Sequence, residues 1–360
     1  MPTTRERFLG CLLGGAAGDA LGAPVEFLQG RERTRRFGPE GIQELAPEYG
    51  RLGAITDDTQ MTLFTAEGLL RGYTAGSGSR LEGYAVTTGH AYARWLLTQG
   101  LSAPSGPIPA EDGWIFARKE LHHRRAPGNT CLSALRSAST FGQPARNDSK
   151  GCGGVMRIAP AGLFAWHWRD DRGPAWAFAL GTTIAGLTHG HPTGVLAAGV
   201  MTVLIVELAS GGSLPDALAT ARRLLVERAN HAETLRALDH AERAAAAAGE
   251  RHAAIASLGG GWVAEEALAI AVYAALVASD LRDGVSLAVN HDGDSDSTGA
   301  LAGSLLGTMH GADAIPSSWL EPLELRDAIV AVAMDLHECA TWPLGDPAAM
   351  APILKRYPPH

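Results

Sequence analysis

Apolar positions recur with the period of an α-helix along most of this 360-residue chain. Spacings of i, i+3, i+4 and i+7 predict helices at residues 7–21, 59–73, 84–97, 129–138, 175–187, 195–208, 214–229, 232–248, 263–279, 298–309 and 324–336. Alternating runs of β-branched and aromatic residues, which would indicate strands, have no convincing example. The pattern therefore predicts an all-α protein, and we expect residues 1–360 to form one compact multi-helix domain.

Glycine and proline concentrate in three connections between these helices, at residues 37–53, 100–113 and 143–154. The first and third connections flank the polar motifs of the chain, and binding sites tend to lie on loops held by rigid elements. The second connection is rich in proline and is expected to be a solvent-exposed excursion.

Composition and charge exclude several classes of function. The chain is 46% hydrophobic with a net charge of −8, which argues against general nucleic-acid binding because such proteins carry basic surfaces. Its four cysteines form no disulfide or zinc pattern, so free thiols in a reducing cytoplasm are expected. Glycines interrupt the apolar N-terminal segment, and the apolar run at 195–206 is shorter than the about 20 residues of a membrane span. We therefore expect a cytoplasmic protein with no membrane association.

Two acidic motifs each precede an apolar helix. They are Thr-Asp-Asp-Thr at residues 56–59 and Asp-Gly-Asp-Ser-Asp-Ser-Thr at residues 292–298. Helix N-termini favour carboxylates and hydroxyls through their unpaired amides and macrodipole, so either motif alone is typical of a helix cap. Together they offer five carboxylates, which would repel one another if the fold brought them together without cations.

Magnesium would relieve that repulsion, because it prefers oxygen ligands in a near-octahedral shell. Two carboxylates from each motif suit a pair of ions roughly 3.5 to 4 Å apart, an arrangement that orients a substrate and activates water. Neither motif contains histidine or cysteine, which weighs against zinc.

Two enzyme classes fit a helical magnesium protein of this kind. One binds a substrate diphosphate, as isoprenoid synthases do, and the other is a hydrolase whose metals hold sugar hydroxyls and a water. The first class uses DDxxD or DDxxE motifs and an aromatic cavity, whereas Asp57-Asp58 is followed by Thr-Gln-Met-Thr and aromatic residues make up only 6% of the chain. The hydrolase fits better, and a noncatalytic binding protein on the same fold stays open.

Five segments, at residues 10–22, 56–59, 151–157, 188–192 and 293–299, together resemble the ADP-ribosylglycohydrolase family over nearly the whole chain. The resemblance implies an all-α orthogonal bundle that binds two Mg²⁺ ions per chain, with Mn²⁺ as a substitute. The metal ligands that it implies are Thr56, Asp57, Asp58, Asp294, Asp296 and Ser297. Asp292 lies outside the matched pattern and is expected to act as a capping or supporting residue.

The implied function is hydrolysis of the bond between ADP-ribose and a modified protein side chain by a metal-dependent glycosidase. No heptad seam is visible in the sequence, so we expect a monomer. Arginine is the favoured attachment because Cys152 followed by two glycines resembles the arginine-specific hydrolases, while serine and other links are the alternatives. Asp57, Asp58 or Asp296 is expected to take a proton from the attacking water. The residues expected to bind ADP-ribose are Glu26, Gly151, Cys152, Gly153, Gly154, Val155 and His189.

Several of these residues have simpler explanations from the sequence alone. A glycine-rich run is often a tight turn, although successive N–H groups also bind phosphate. An unplaced histidine such as His189 is more often an inert core residue than a ligand, and Glu26 would be unremarkable as a solvated side chain. Asn129 at the start of a predicted helix is expected first as an N-cap.

Overall fold

The computed structural model describes residues 1–102, 110–247 and 249–359, and the regular secondary structure of these residues is almost entirely helical. The helices are α1 Thr4–Gly22, α2 Gly30–Phe37, α3 Asp57–Thr74, α4 Leu81–Thr98, α5 Asn129–Ser137, α6 Ala159–Trp166, α7 Arg169–Ala185, α8 Pro192–Ala209, α9 Leu214–Val226, α10 Ala232–Ala246, α11 Arg251–Leu258, α12 Ala264–Val277, α13 Leu281–Val289, α14 Ser295–His310, α15 Ser317–Leu320, α16 Arg326–Glu338 and α17 Pro347–Arg356. The all-α prediction is confirmed.

Every helix predicted from the apolar period is present, with ends that move by a few residues. The helices that the period did not predict are α2, α6, α11, α13, α15 and α17, which have four to ten residues and therefore repeat a 3.6-residue period at most about three times. Within the predicted connection at 37–53, a hairpin pairs β1 Pro47–Glu48 with β2 Arg51–Leu52. Strands of two residues cannot show an alternating pattern. Residues 103–109 of the predicted excursion, and residue 248 at the end of a predicted helix, lie outside the described residues.

Helices α1 and α14 pack against each other at backbone distance through glycine. A Cβ atom on Gly14 would lie 2.3 Å from the carbonyl oxygen of Gly303, so a larger residue at either position would push the helices apart. The same relation holds for two further pairs, Gly10 with Gly307 and Gly18 with Gly299. This close approach brings the C-terminal end of α1 beside the N-terminal end of α14, where the second acidic motif lies.

Helix α8, Pro192–Ala209, forms part of the core. By length and composition alone it is apolar enough to cross a membrane, with a mean hydropathy of 1.8, but 83% of it is buried inside the fold. It packs against α6, α7 and α9. Its apolar composition is therefore accounted for by burial against neighbouring helices.

Candidate active site

The N-terminal ends of α3 and α14 meet at one cavity of about 550 Å³. Thr56 is the N-cap residue of α3, and its hydroxyl accepts a hydrogen bond from the backbone N–H of Asp58 at 3.3 Å. Asp294 is the N-cap residue of α14. The side chains from the two motifs that line the cavity are Asp57, Asp58, Asp294, Asp296 and Ser297. The fold thus brings together the two acidic motifs that the sequence singled out.

Burial and mutual repulsion perturb these carboxyl groups strongly. Desolvation, and next the charge of Asp296, raise the pKa of Asp58 and of Asp294 well above the usual range. The pKa of Asp57 is likewise raised well above that range by burial and by Asp296, although the N–H of Gly128 offsets part of the effect. Burial also raises the pKa of Asp296 itself. The cluster therefore carries the unfavourable charge density that a bound cation would neutralise.

Glu26, which was expected from the sequence to bind the substrate, belongs to this cluster. Carboxylate oxygens of Glu26, Asp294 and Asp296 all lie within 4.8 Å of one another. Burial, followed by the charges of Asp296 and Asp294, raises the pKa of Glu26 to about 11. The Oε2 atom of Glu26 and the Oδ1 atom of Asp58 are buried without a hydrogen-bond partner. Buried oxygens lacking donors are suited to a hard divalent cation, so the residues present fit magnesium.

Asp19, near the C-terminal end of α1, holds the first turn of α3 in place. Its carboxylate accepts hydrogen bonds from the backbone N–H of Thr56 at 3.0 Å and of Thr59 at 3.1 Å, and from the Thr59 hydroxyl at 2.5 Å. Burial and the charge of Asp296 raise the pKa of Asp19 to about 7. The sequence analysis did not assign this residue a role. A lone acidic residue inside an otherwise apolar and glycine-rich helix was the available signal.

The glycine-rich loop at residues 151–155 forms the opposite wall. Its 3₁₀ turn, Cys152–Gly154, is anchored where the N–H of Cys152 donates to the carbonyl of Trp262 at 3.2 Å. A Cβ atom on Gly153 would lie 2.8 Å from the sulfur of Cys131, so a larger residue there would have to displace that side chain. Gly151, Cys152 and Gly153 line the cavity, whereas Gly154 and Val155 are buried and do not line it.

Cys152 links this loop to the second acidic motif. Its thiol donates a hydrogen bond to Asp294 Oδ2 at 2.7 Å. Burial and then the charge of Asp294 raise the pKa of Cys152 well above that of an ordinary thiol. A protonated thiol is a donor and not a nucleophile, so the contact positions Asp294 and does not indicate covalent chemistry.

His189 lies beside the glycine-rich loop and also lines the cavity. Its side chain is 1% exposed, and its Nδ1 atom is 2.9 Å from the hydroxyl of Thr188. The Nε2 atom is buried and has no hydrogen-bond partner among the described residues. Burial and the charge of Arg157 lower the pKa of His189 to about 3, so the ring is neutral at physiological pH. The unpaired Nε2 atom distinguishes His189 from a core histidine whose two ring nitrogens are both hydrogen-bonded.

Two exposed aromatic rings, which the sequence did not single out, stand at the rim of the same cavity. Phe27 and Trp262 are 70% and 47% exposed, and their rings stack at a centroid distance of 6.2 Å with 23° between the planes. Asn129 lines the cavity too, but the N-cap of α5 is Gly128, so the capping prediction for Asn129 is wrong. Of the two roles expected for Asp292, capping is wrong, since Asp294 is the N-cap residue of α14 and the exposed carboxylate of Asp292 pairs with Arg33 at 2.8 Å, and the supporting role stays a prediction.

The chain is similar to known proteins over most of its length. A family model described as ADP-ribosylglycohydrolase matches residues 1–344. The chain is 28% identical to the ADP-ribosyl-(dinitrogen reductase) glycohydrolase of Rhodospirillum rubrum, with 92% of this chain and 98% of that protein covered. It is 26% identical to the ADP-ribosylarginine hydrolase Tri1 of Pseudomonas putida, with 93% and 79% covered. A solved structure named ADP-ribosylglycohydrolase-related protein complex superposes with a TM-score of 0.65 at 27% identity, covering 94% of this chain and 99% of that one.

Proposed function

The chain belongs to the ADP-ribosylglycohydrolase family, and from that premise we propose that it releases ADP-ribose from a modified arginine side chain of a protein. The observation that carries the proposal is the convergence of two acidic motifs, a glycine-rich loop and an unpaired His189 nitrogen on one cavity. The acidic side suits a metal-bound sugar, and the glycine side suits an anionic diphosphate.

The residues proposed to hold two Mg²⁺ ions are Thr56, Asp57, Asp58, Asp294, Asp296 and Ser297. Glu26 is a proposed addition to this set, because its carboxylate faces Asp294 and Asp296. When bound, the ions would supply positive charge that neutralises the cluster and holds sugar hydroxyls and a water close to it. The perturbed pKa values and the unpartnered oxygens of Glu26 and Asp58 support this assignment.

The rest of the ADP-ribose would extend from the acidic cluster toward the glycine-rich loop. Gly151, Cys152 and Gly153 bring backbone to the cavity wall without bulky side chains, which allows a diphosphate to approach closely. His189 lies next to this loop, because a Cβ atom on Gly153 would be 3.2 Å from its Cε1 atom. The diphosphate is therefore proposed to lie between the loop and His189.

Cleavage breaks the bond between the anomeric carbon and the arginine nitrogen, and the oxygen of a water takes its place on that carbon. Asp57, Asp58 or Asp296 accepts a proton from the water. Positive charge that develops on the sugar ring is stabilised by the surrounding carboxylates. The leaving group departs as a neutral guanidine from a link that already carries its proton, so no strong acid is needed beside it.

Three observations favour arginine over serine. The curated relatives include an ADP-ribosylarginine hydrolase, and the loop sequence beginning at Cys152 resembles that of arginine-specific enzymes. In addition, the exposed rings of Phe27 and Trp262 stand at the rim of the cavity. A planar guanidinium stacks on aromatic faces, whereas a serine offers nothing for them to bind.

The proposal is tested by measuring ADP-ribose released from proteins modified separately on arginine and on serine, with Mg²⁺, with Mn²⁺ or with EDTA. We expect metal-dependent release from arginine, abolished in Asp296→Asn and retained in the matched control Asp292→Asn, whose carboxylate is exposed. Release from serine alone would contradict the proposed arginine attachment. Release that does not depend on a metal would contradict the proposed Mg²⁺ site. Tight ADP-ribose binding without any release would favour a noncatalytic protein.

A further inference from the structure

A buried arginine stands behind the cavity without a carboxylate partner. The side chain of Arg157 is fully buried, and among the described residues no Asp or Glu forms an ion pair with it. Its guanidinium stacks on the ring of Tyr92 at 4.4 Å and donates to the sulfur of Cys131 at 3.2 Å. Its remaining strong hydrogen bond runs from Nη2 to the hydroxyl of Thr188 at 2.5 Å.

This hydrogen bond restricts the hydroxyl of Thr188. An arginine can only donate, so the Thr188 oxygen must accept from Arg157 and its own hydrogen must point elsewhere. Among the described residues, two acceptors have hydrogen-bonding geometry for it, the Nδ1 atom of His189 at 2.9 Å and the carbonyl of Ala185 at 3.5 Å. The nearer contact is the stronger hydrogen bond, so Thr188 donates to His189 Nδ1.

The consequence for His189 is a defined tautomer. A neutral imidazole carries one proton, and a ring whose Nδ1 atom accepts must carry it on Nε2. That Nε2–H group is buried, lines the cavity and has no acceptor among the described residues. It lies against the glycine-rich loop, since a Cβ atom on Gly151 would be 3.5 Å from it. An unpaired buried donor that lines a cavity is placed to meet an acceptor on a bound ligand.

We propose that Thr188, anchored by Arg157, fixes His189 in the Nε2–H tautomer so that the ring donates a hydrogen bond to a diphosphate oxygen of the bound ligand. Thr188 and Arg157 are then positioning residues, and His189 is the residue that touches the ligand. The inference rests on the proposed function, because that function supplies the diphosphate.

The tautomer is read directly from long-range ¹H–¹⁵N spectra of the full-length protein labelled with ¹⁵N-histidine, with the His189 signals assigned by their loss in His189→Gln. ADP-ribose affinity is measured by calorimetry in Mg²⁺. Thr188→Val keeps the shape of the side chain and removes the hydroxyl, Thr188→Ser restores the hydroxyl, and Thr202→Val is a matched control. Thr202 is equally buried, but its hydroxyl donates to the carbonyl of Ala198 on its own helix at 2.8 Å.

We expect the wild type to show the Nε2–H tautomer. Thr188→Val should lose this single tautomer and bind ADP-ribose about tenfold more weakly, a change of about 1.4 kcal/mol. Its KM should rise while kcat at saturating substrate stays within about twofold, because a binding contact is lost and not a reacting group. Thr188→Ser and Thr202→Val should behave like the wild type in both measurements.

An Nδ1–H tautomer in the wild type would overturn the inference, and so would a Thr188→Val protein with unchanged tautomer and affinity. If Thr188→Val does not fold, the affinities of His189→Ala and His189→Gln for ADP-ribose test the inference instead. Equal affinity of His189→Ala and the wild type would refute the hydrogen bond between His189 and the diphosphate. Gln keeps an N–H donor of similar reach, so it should bind more tightly than Ala. A wild-type protein that binds no ADP-ribose overturns the proposed function itself, whereas binding by a ring in the Nδ1–H tautomer overturns only this inference.

Discussion

Replacing Asp296 with asparagine should stabilise the metal-free protein while removing its response to magnesium. Oxygens of Asp296 lie within 4.8 Å of those of Glu26 and Asp294. Two unit charges at that distance repel by about 3.5 kcal/mol at an effective dielectric constant of about 20. Protonation of neighbouring carboxyls already relieves part of this repulsion, so we expect a net gain of about 1 to 3 kcal/mol in the free energy of unfolding.

The gain converts to a measurable shift in melting temperature. A chain of this length has an unfolding entropy of about 0.8 kcal/mol/K, so Tm in EDTA should rise by about 1 to 4 °C in Asp296→Asn. Magnesium at about 100 times its Kd should stabilise the wild type by about 2.7 kcal/mol, or about 3 to 4 °C, and the variant by less than about 1 °C. Scanning calorimetry at pH 8 with Mg²⁺ or EDTA measures both effects.

The pH dependence of the metal-free protein follows from the same groups. The folded-state pKa is raised to about 7 for Asp19 and to about 11 for Glu26. The folded protein therefore binds more protons than the unfolded chain, and its stability falls as pH rises from about 4 through these values. The advantage of Asp296→Asn should shrink at pH 5. A lower metal-free Tm in the variant, or a magnesium response equal to that of the wild type and of the Asp292→Asn control, would refute the reasoning.

Three further predictions concern the loop, the rim and the core. Gly153→Ala places a Cβ atom 2.8 Å from the sulfur of Cys131, so the Kd for ADP-ribose, measured by calorimetric titration, should rise at least about tenfold. The control Gly345→Ala has open space around the new methyl group and should bind ADP-ribose as the wild type does. Trp262→Ala should raise KM for an arginine-linked substrate about two- to fivefold at nearly constant kcat, and an equal rise with a serine-linked substrate would contradict a guanidinium-specific role. Glu324 forms a buried ion pair with Arg125. Glu324→Gln leaves the charge of Arg125 uncompensated and should lower the free energy of unfolding by about 3 to 5 kcal/mol in thermal melts. Asp327→Asn breaks an exposed pair and should cost less than about 1 kcal/mol.

The long helices were readable from sequence because their apolar faces repeat over several turns. Helices α6 and α13 were not, since eight or nine residues with glycine or proline give no sustained period. The backbone contact between α1 and α14 was also hidden. It depends on which glycines of one helix face which glycines of the other, and an apolar pattern does not specify that pairing.

The acidic motifs could be predicted as a metal site because their carboxylates would repel one another without cations. The fold does bring the two motifs together at one cavity. The sequence did not reveal that Asp19 supports the first turn of α3, because its partners lie about 40 residues away. Nor did it place Trp262 opposite Phe27, since that stacking depends on how two distant loops meet. Side chains whose role depends on long-range geometry are the ones that sequence reasoning misses.

The most direct test of the central claim is a crystal structure of the protein grown with Mn²⁺ and ADP-ribose, with anomalous scattering recorded to locate the metal. The account predicts anomalous peaks among Asp57, Asp58, Asp294 and Asp296, with the distal ribose beside them and the diphosphate between the glycine-rich loop and His189. Peaks absent from the acidic cluster, or ADP-ribose bound outside this cavity, would contradict it.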